Sequence, residues 1–386
     1  MESAIRFFKP PKQSFFLFGP RGTGKSTWLK NHFPANTLYL DLLKPDIFRQ
    51  LTARPERLGE LIAGQKFLQT VIIDEIQKAP KLLDIVHSLM EENKKIRFIL
   101  TGSSARKLKR TGVDLLAGRA LLKTFHPFMA MELGEKFDLE KALEQGLVPL
   151  IVDSPDPEET LKSYAALYLR EEVQAEGLVR NIGSFSRFME AISFSHGSIL
   201  NISHISRECQ VGAKTAEGYF EILEDLLLAH RLPIFQKRSK RALISHPKFY
   251  YFDTGIYRSL RPMGPLDQID LVAGAALEGL VFQHLIAWNA YGGNKNTLSY
   301  WRTRAGNEVD FIVYGPDGIY AIEVKNSKRI RTEELSGLLT FKEDYPQANC
   351  IMVYRGAERL KVKGVLCIPC EEFLLGLVPG EKILAG

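Results

Sequence analysis

In "SFFLFGPRGTGKSTWLK" an apolar run, Phe15 to Phe18, leads into Gly19, Gly22, Gly24, Lys25 and Ser26 at the spacing G-x-x-x-x-G-K-[ST]. The glycines let backbone N–H groups, including those around Thr23, wrap a chain of phosphates, and a helix opening near Ser26 and Thr27 adds its positive end. Lys25 reaches the β- and γ-phosphates and Ser26 ligates magnesium, so the group implied is ATP with magnesium. "TVIIDEIQKAP" then ends an apolar run in Asp74 and Glu75. Asp74 holds magnesium, directly or through water, and Glu75 polarises the attacking water. "IRFILTGSSARKL" places the Thr101 hydroxyl at another strand end, where it orients that water. Arg106, Arg110 and Arg119 follow, and an arginine that stabilises the γ-phosphate is worth about 10³–10⁵ in rate. Arg119, in "LLAGRALLKTFHPF", is the first choice for that role.

A second group of reactive side chains lies in "EVDFIVYGPDGIYAIEVK". Two strand-like runs flank a Gly315 to Gly318 turn. With Tyr314 facing Ile319, Ile312 faces Ala321 and Asp310 faces Glu323, while Lys325 shares the face of Glu323 because side chains alternate. Like charges opposed in this way destabilise a hairpin unless compensated, and magnesium suits two hard oxygen ligands. A solvated hairpin face with a carboxylate–lysine pair is the other reading.

These groups need elements to hold them. Phe15 to Phe18, residues 70–74 and residues 97–101 read as strands of a parallel sheet buried on both faces. "LIVDSPDPEETLK" marks a boundary near residue 150, and "YAALYLREEVQAEG" and "GSFSRFMEAISFSHG" read as amphipathic helices. "LNISHISRECQVGAKTAEGYFEILEDLLLAHRL" reads as helix, turn, helix, with Ser203 as cap, Gly212 in the turn, and Lys214 and Thr215 at the exposed start of a recognition helix. The basic stretch that follows holds Lys237, Arg238, Lys240, Arg241, Lys248, Arg258 and Arg261 among Phe249, Tyr250, Tyr251, Phe252 and Tyr257. Such a stretch fits a surface that neutralises nucleic-acid phosphates, or a hairpin with a buried aromatic face. "LVAGAALEGLVFQHLIAW" is an apolar helix interrupted by Glu278, a carboxylate that needs a partner or a metal.

The whole chain has 386 residues, 45% hydrophobic and 25% charged, with a net charge of +6. That is room for two or three domains of globular composition. No apolar run approaches the roughly 20 residues that span a bilayer, so no membrane partner is expected. "MESAIRFFKPPKQ" lacks the apolar core of a signal peptide, which points to the cytoplasm. Four cysteines are too few for a disulfide framework, and Cys367 with Cys370 lacks the second pair a zinc site requires.

In the order GPRGTGKST, a strand ending in DE, a strand ending ILTGSS, and AGR, the chain resembles an AAA-type ATPase. With "YFDTGIYRSL" and the hairpin, it resembles throughout a family of predicted prokaryotic ATPases joined to a C-terminal domain of unknown function. The resemblance implies an α/β protein in three parts: an AAA-type P-loop domain over residues 1–150, a helical and winged-helix segment over 151–265, and an α/β restriction-endonuclease-like domain over 266–386. It also implies a homo-oligomer in which Arg119 acts across a subunit boundary. In endonucleases of the P-D-(D/E)-x-K type a helix glutamate precedes a hairpin Asp and a Glu-x-Lys, as Glu278, Asp310, Glu323 and Lys325 do here, with Val309 in place of the proline. Asp310 and Glu323 would then bind magnesium or manganese, Glu278 would support the metal, and Lys325 would orient the nucleophilic water or stabilise the pentavalent charge. The function this implies is ATP-driven DNA processing with metal-dependent cleavage. A nucleotide switch whose nuclease-like domain only binds is the alternative, and protein remodelling is a third reading.

Overall fold

A computed structural model describes residues 5–33, 35–103, 108, 116–168, 173, 181–237 and 246–383. The chain divides into two compact units. One comprises Phe8–His126 with Asp225–Leu227, the other Met1–Phe7, Pro127–Glu224 and Leu228–Gly386.

The first unit is a parallel sheet of β1 (Phe15–Phe18), β2 (Thr37–Asp41), β3 (Thr70–Asp74), β4 (Arg97–Gly102) and β5 (Leu121–Thr124), in the order β2-β3-β4-β1-β5. Helices α1 (Lys25–His32), α2 (Pro45–Ala53), α3 (Arg57–Ala63) and α4 (Leu82–Glu92) accompany it. Every residue of β1 and β3 is buried, which is why their sequences are unbroken apolar runs. Phe16, Phe18, Val71, Ile73, Phe98 and Leu100 form the core with Leu83 and Val86 of α4. Because all strands run one way, β1, β3 and β4 end on one edge, where open α/β sheets bind ligands.

The second unit includes α5 (Leu139–Gln145), α6 (Ile182–Ser193), β6 (Ser198–Ile199), α7 (Ile202–Glu208), α8 (Ala213–Asp225), β7 (Ala229–Leu232) and β8 (Lys248–Tyr251). The three strands form an antiparallel sheet in the order β6-β8-β7. The order is helix, short strand, two helices joined by a tight turn, then two strands. The cap of α7 is Asn201, whose Oδ1 accepts the His204 N–H at 3.0 Å; Ser203 lies inside the helix. The aromatic residues of the basic stretch are no surface: Phe249, Tyr250, Tyr251, Phe252, Tyr257 and Lys248 itself are all buried. The cause is topological, since β8 is the central strand and is covered on both sides. Arg238, Lys240 and Arg241 lie outside the described residues, as do Arg106, Arg110 and most of "YAALYLREEVQAEG".

Next come α9 (Thr254–Leu260) and α10 (Ile269–Tyr291). Then follow β9 (Thr297–Arg302), β10 (Glu308–Gly315), β11 (Gly318–Lys325), α11 (Ser336–Asp344), β12 (Asn349–Tyr354), β13 (Leu360–Val362), β14 (Val365–Pro369) and α12 (Cys370–Leu375). The sheet order is β13-β14-β12-β11-β10-β9, antiparallel at the β9-β10-β11 hairpins and parallel from β11 to β12 and from β12 to β14. Contrary to the reading of the apolar runs, α10 has the length and hydropathy of a bilayer-crossing segment. Twelve of its residues are buried, and it is apolar all round because it packs as a core helix against α9, β8 and β11. All four cysteines are free, buried thiols.

The segment "FDTG" joins these parts. Buried Asp253 caps α9, its Oδ1 accepting the Gly255 and Ile256 N–H groups at 3.0 and 3.3 Å, and its Oδ2 accepts the Leu147 N–H at 2.7 Å. Gly255 allows the close approach, since a Cβ there would lie 2.2 Å from the Gln145 carbonyl oxygen at the end of α5. Gly255→Ala should therefore destabilise this unit by about 1–3 kcal/mol. Denaturant melts check this, and an unchanged midpoint would show that α5 can retreat freely.

Candidate functional site

At the carboxyl edge of the parallel sheet, β1 enters a loop in which Gly22 and Gly24 adopt positive φ, 76° and 87°, at little cost to glycine. Lys25 starts α1, is buried, and donates its ammonium to the Gly19 and Pro20 carbonyls at 2.6 and 3.0 Å. The Thr23 hydroxyl donates to Pro20 O at 2.8 Å. Ser26 is half-buried and Thr27 exposed on the first turn of α1.

β3 delivers Asp74 beside this loop's edge, and both of its carboxylate oxygens are engaged. The Thr101 hydroxyl from β4 donates to Oδ1, and the Tyr39 hydroxyl from β2 donates to Oδ2 at 2.5 Å. Burial and the Asp74 charge raise the Tyr39 phenol above its ordinary value, which keeps it a donor. Glu75 adopts φ 63°, a left-handed conformation costly for a non-glycine residue and concentrated at functional sites. Gln77 holds it there, donating Nε2 to Glu75 Oε2 at 2.6 Å and to Ser103 Oγ at 3.4 Å. The residues fit a magnesium–nucleotide complex: Ser26 offers a hydroxyl on the first turn of α1, Asp74 a carboxylate at the end of β3, and Gln77 Oε1 is buried without a protein partner.

Arg119 stands elsewhere. Leu121 pairs with Phe15 at the start of β1, so Arg119, two residues earlier, precedes the sheet's amino edge, roughly 10 Å of strand from the phosphate loop. It is exposed and ion-paired with Glu91 of α4.

In the second unit the hairpin register agrees with the counting: Tyr314 pairs with Ile319, Ile312 with Ala321 and Phe311 with Ile322. The ladder stops there, and Asp310 Oδ2 instead accepts the Val324 N–H at 3.0 Å. The reason is a bulge of β10 against β9 between Val309 and Ile312, which puts both of those side chains in one core cluster. A bulge re-aims the residues within it. Asp310, Glu323, Lys325 and Glu278 accordingly line one cavity of about 570 Å³, together with Lys248, Arg302 and Glu308.

The Lys248 ammonium, from the start of β8, lies 3.0 Å from Glu278 Oε1, 2.6 Å from Glu308 Oε1 and 3.0 Å from Asp310 Oδ1. Only 2% of its side chain is exposed. Tyr250 donates its hydroxyl to Glu278 Oε1 at 2.5 Å, and Lys325 pairs with Glu323 Oε1 at 2.5 Å. Burial, then repulsion by Asp310, pushes Glu278 up to about 7 and Glu323 up to about 8. Burial opposes the Lys248 ammonium, but Glu278, Tyr250, Asp310 and Glu308 together hold it well above the ordinary lysine value. Glu323 Oε2 is buried with no partner.

The structure thus gathers Glu278, Asp310, Glu323 and Lys325, but compensates the carboxylates with two ammonium groups where a divalent cation was expected. Among the described residues no three His, Cys, Asp or Glu side chains are placed to hold a metal, so as arranged this cluster does not fit one. Lys214 and Thr215 are exposed at the start of α8, and Lys237 is exposed with its ammonium 4.0 Å from the Tyr314 ring centre. Sequence reading missed Tyr39, Gln77, Tyr250, Lys248 and Glu308 as site residues. Gln77, two residues after Glu75, and Glu308, two residues before Asp310, sit near enough to a motif to have been found.

Residues 11–134 match a family described as AAA domain, residues 136–267 a domain of unknown function (DUF8612), and residues 273–373 a domain of unknown function (DUF4143). The chain is 23% identical over 324 residues to an uncharacterized protein of Haemophilus influenzae, covering 79% of this chain and 77% of that one. Among solved structures it is similar to the replication initiator DnaA bound to AMPPCP and single-stranded DNA, with 15% identity, a TM-score of 0.28, and coverage of 55% of this chain and 82% of that one. It is also similar to protein VC1899 from Vibrio cholerae, with 11% identity, a TM-score of 0.24, and coverage of 89% and 96%. The parallel-sheet unit is therefore an AAA-type domain, a class that binds and hydrolyses ATP.

The raised glutamates set a pH dependence. Folded Glu278 and Glu323 keep protons to about 7 and about 8, above the ordinary glutamate value, so the folded chain binds more protons than the unfolded one and stability falls as pH rises through that range. Buried His196 and His284 and half-buried His230, lowered to about 3, about 4 and about 4, act in the opposite sense, but only below the ordinary histidine value of ~6.5. Asp253, raised to about 6 by burial, has finished titrating in the folded chain near that point. Stability should therefore fall from about pH 6.5 to 8.5, by up to about 1.4 kcal/mol per pH unit per proton, and Glu323→Gln should flatten the fall. Thermal melts across that range decide; a parent midpoint that rises would contradict the burial of these carboxylates.

Proposed function

We propose that the chain is an ATP-dependent DNA-binding switch, in which nucleotide turnover in the AAA-type unit sets how the winged helix engages DNA. The observation that carries it is the network of Asp74, Thr101, Glu75 and Gln77 at the strand ends beside the phosphate loop. Magnesium, when bound, neutralises the charge on the β- and γ-phosphates. Lys25 and the loop N–H groups position the phosphates, Ser26 and Asp74 hold the metal, and Glu75 takes the proton of the attacking water. Thr101, anchored on Asp74, orients that water. Arg119 at the opposite edge serves a neighbouring subunit's nucleotide, which makes the active form an oligomer. Lys214, Thr215, Lys237 and the basic residues Arg238, Lys240 and Arg241 contact DNA phosphates. The C-terminal domain is a nuclease-like module that, with Lys248 in its carboxylate cluster, binds without cutting.

Metal-dependent cleavage is the second reading, favoured by the unpartnered Glu323 Oε2 beside Lys325. Incubation with linear, single-stranded and branched DNA and manganese tests it, and intact DNA is the result expected.

Glu75→Gln should keep ATP affinity and lower turnover by about 10²–10⁴-fold, the usual worth of a general base. Filter binding with steady-state ATPase assays measures both, and normal turnover would remove Glu75 from the mechanism. Lys214→Glu with Lys237→Glu should weaken DNA binding and reduce its salt slope by about one counterion for each phosphate no longer neutralised. Unchanged affinity across a salt titration would remove these residues from the interface.

A further inference from the structure

We infer that Tyr39 of β2 is a positioning residue for magnesium: its hydroxyl, acting with that of Thr101, fixes the orientation in which Asp74 meets the metal. The inference rests on the reading of Asp74 as a magnesium-holding residue, and adds to it a group from a strand that carries no nucleotide motif. The last torsion of an aspartate is broad and roughly two-fold, so the side chain by itself does not keep an oxygen in one place. At the end of β3 hydroxyls from two other strands do so. Thr101 of β4 donates to Oδ1, and Tyr39 donates to Oδ2 at 2.5 Å. One donor on each oxygen settles the plane of the carboxylate, and each oxygen keeps a second acceptor position for a further partner. Outer partners of this kind set metal affinity by about 10–100-fold.

The register explains why this donor is a tyrosine. β2 and β3 run parallel, with Asp41 opposite Asp74 and Tyr39 opposite Ile72. Tyr39 shares the face of Asp41 because side chains alternate, and it lies two residues, roughly 6.6 Å of strand, short of that pair. A phenol hydroxyl spans such a distance along the strand, whereas a serine or threonine hydroxyl does not. Asp41 is itself turned aside, its Oδ1 accepting the Leu43 N–H at 2.9 Å. The Tyr39 ring also meets the helix that follows the phosphate loop, since the Lys30 ammonium, one turn beyond Ser26 on α1, lies 5.2 Å from its centre. One side chain thus touches α1 and β3, the two elements that carry Ser26 and Asp74, and all of these residues belong to the same compact unit.

The test is the Kd of a fluorescent, non-hydrolysable ATP analogue for the full-length chain, measured once in excess EDTA and once in magnesium; the ratio of the two constants is what magnesium contributes. Tyr39→Phe keeps the ring and removes only the hydroxyl. It should bind the analogue in EDTA as the parent does and lose about 10–100-fold of the affinity that magnesium adds. Asp74→Asn should lose the magnesium contribution as well, and Tyr39→Phe added to Asp74→Asn should change the ratio no further. An unchanged ratio in Tyr39→Phe, beside an Asp74→Asn chain that has lost it, would overturn the inference and leave the reading of Asp74 intact. A Tyr39→Phe chain that fails to fold, or that loses affinity equally with and without magnesium, would make Tyr39 a structural residue and overturn the inference too. If Asp74→Asn leaves the ratio unchanged, the reading of Asp74 fails and the inference falls with it.

Discussion

An ammonium ion among three carboxylates is the interaction on which the larger unit of this protein depends. Burying an unpaired carboxylate costs several kcal/mol, and of the six that line one cavity here Asp310 and Glu323 are buried and Glu278 and Glu308 half-buried. Lys248 offsets three, and Lys325 offsets the fourth. Because Lys248 belongs to the three-stranded sheet, Glu278 to α10, and Glu308 and Asp310 to β10, the pairing ties the three-stranded sheet to α10 and the C-terminal sheet. Stacking of Tyr250 on Phe282, and of Phe282 on Phe311, extends the same junction with apolar contact. The raised Glu278 and Glu323 show that the compensation is incomplete.

In the AAA-type unit buried charge is handled in another way. Asp74 directs both oxygens to hydroxyl donors, and Glu75 is held in a left-handed backbone conformation by a glutamine. Neutral donors orient the carboxylates without supplying a cation, which suits a site whose cation arrives with its nucleotide. The lysine-filled cluster in the other unit is built the opposite way, with its cation supplied by the chain.

Local signals in the sequence identified most of this architecture. The phosphate loop, the DE strand end, the turn at Gly315 to Gly318 and the helix-turn-helix rest on spacing between near neighbours, and the structure has them at those positions. What escaped depends on distant partners. Lys248 reads as one more cation in a basic run, because its burial follows from β8 being central and from acids 30 and 62 residues away. Strict alternation fails at Asp310, because the bulge exists only against β9. Tyr39 lies on a strand with no motif of its own, and α10 reads as interrupted at Glu278 because the partner of that carboxylate lies on another strand.

A double-mutant cycle between Lys248 and Asp310, measured by denaturant unfolding without metal, tests the central claim most directly. Lys248→Met alone should destabilise the chain by about 3–5 kcal/mol, the cost of leaving buried carboxylates uncompensated. Adding Asp310→Asn should recover about 1–3 kcal/mol of that loss. Strictly additive effects would contradict the account, since they would mean that the ammonium and the carboxylate do not sense each other and that the cluster is held together by something else.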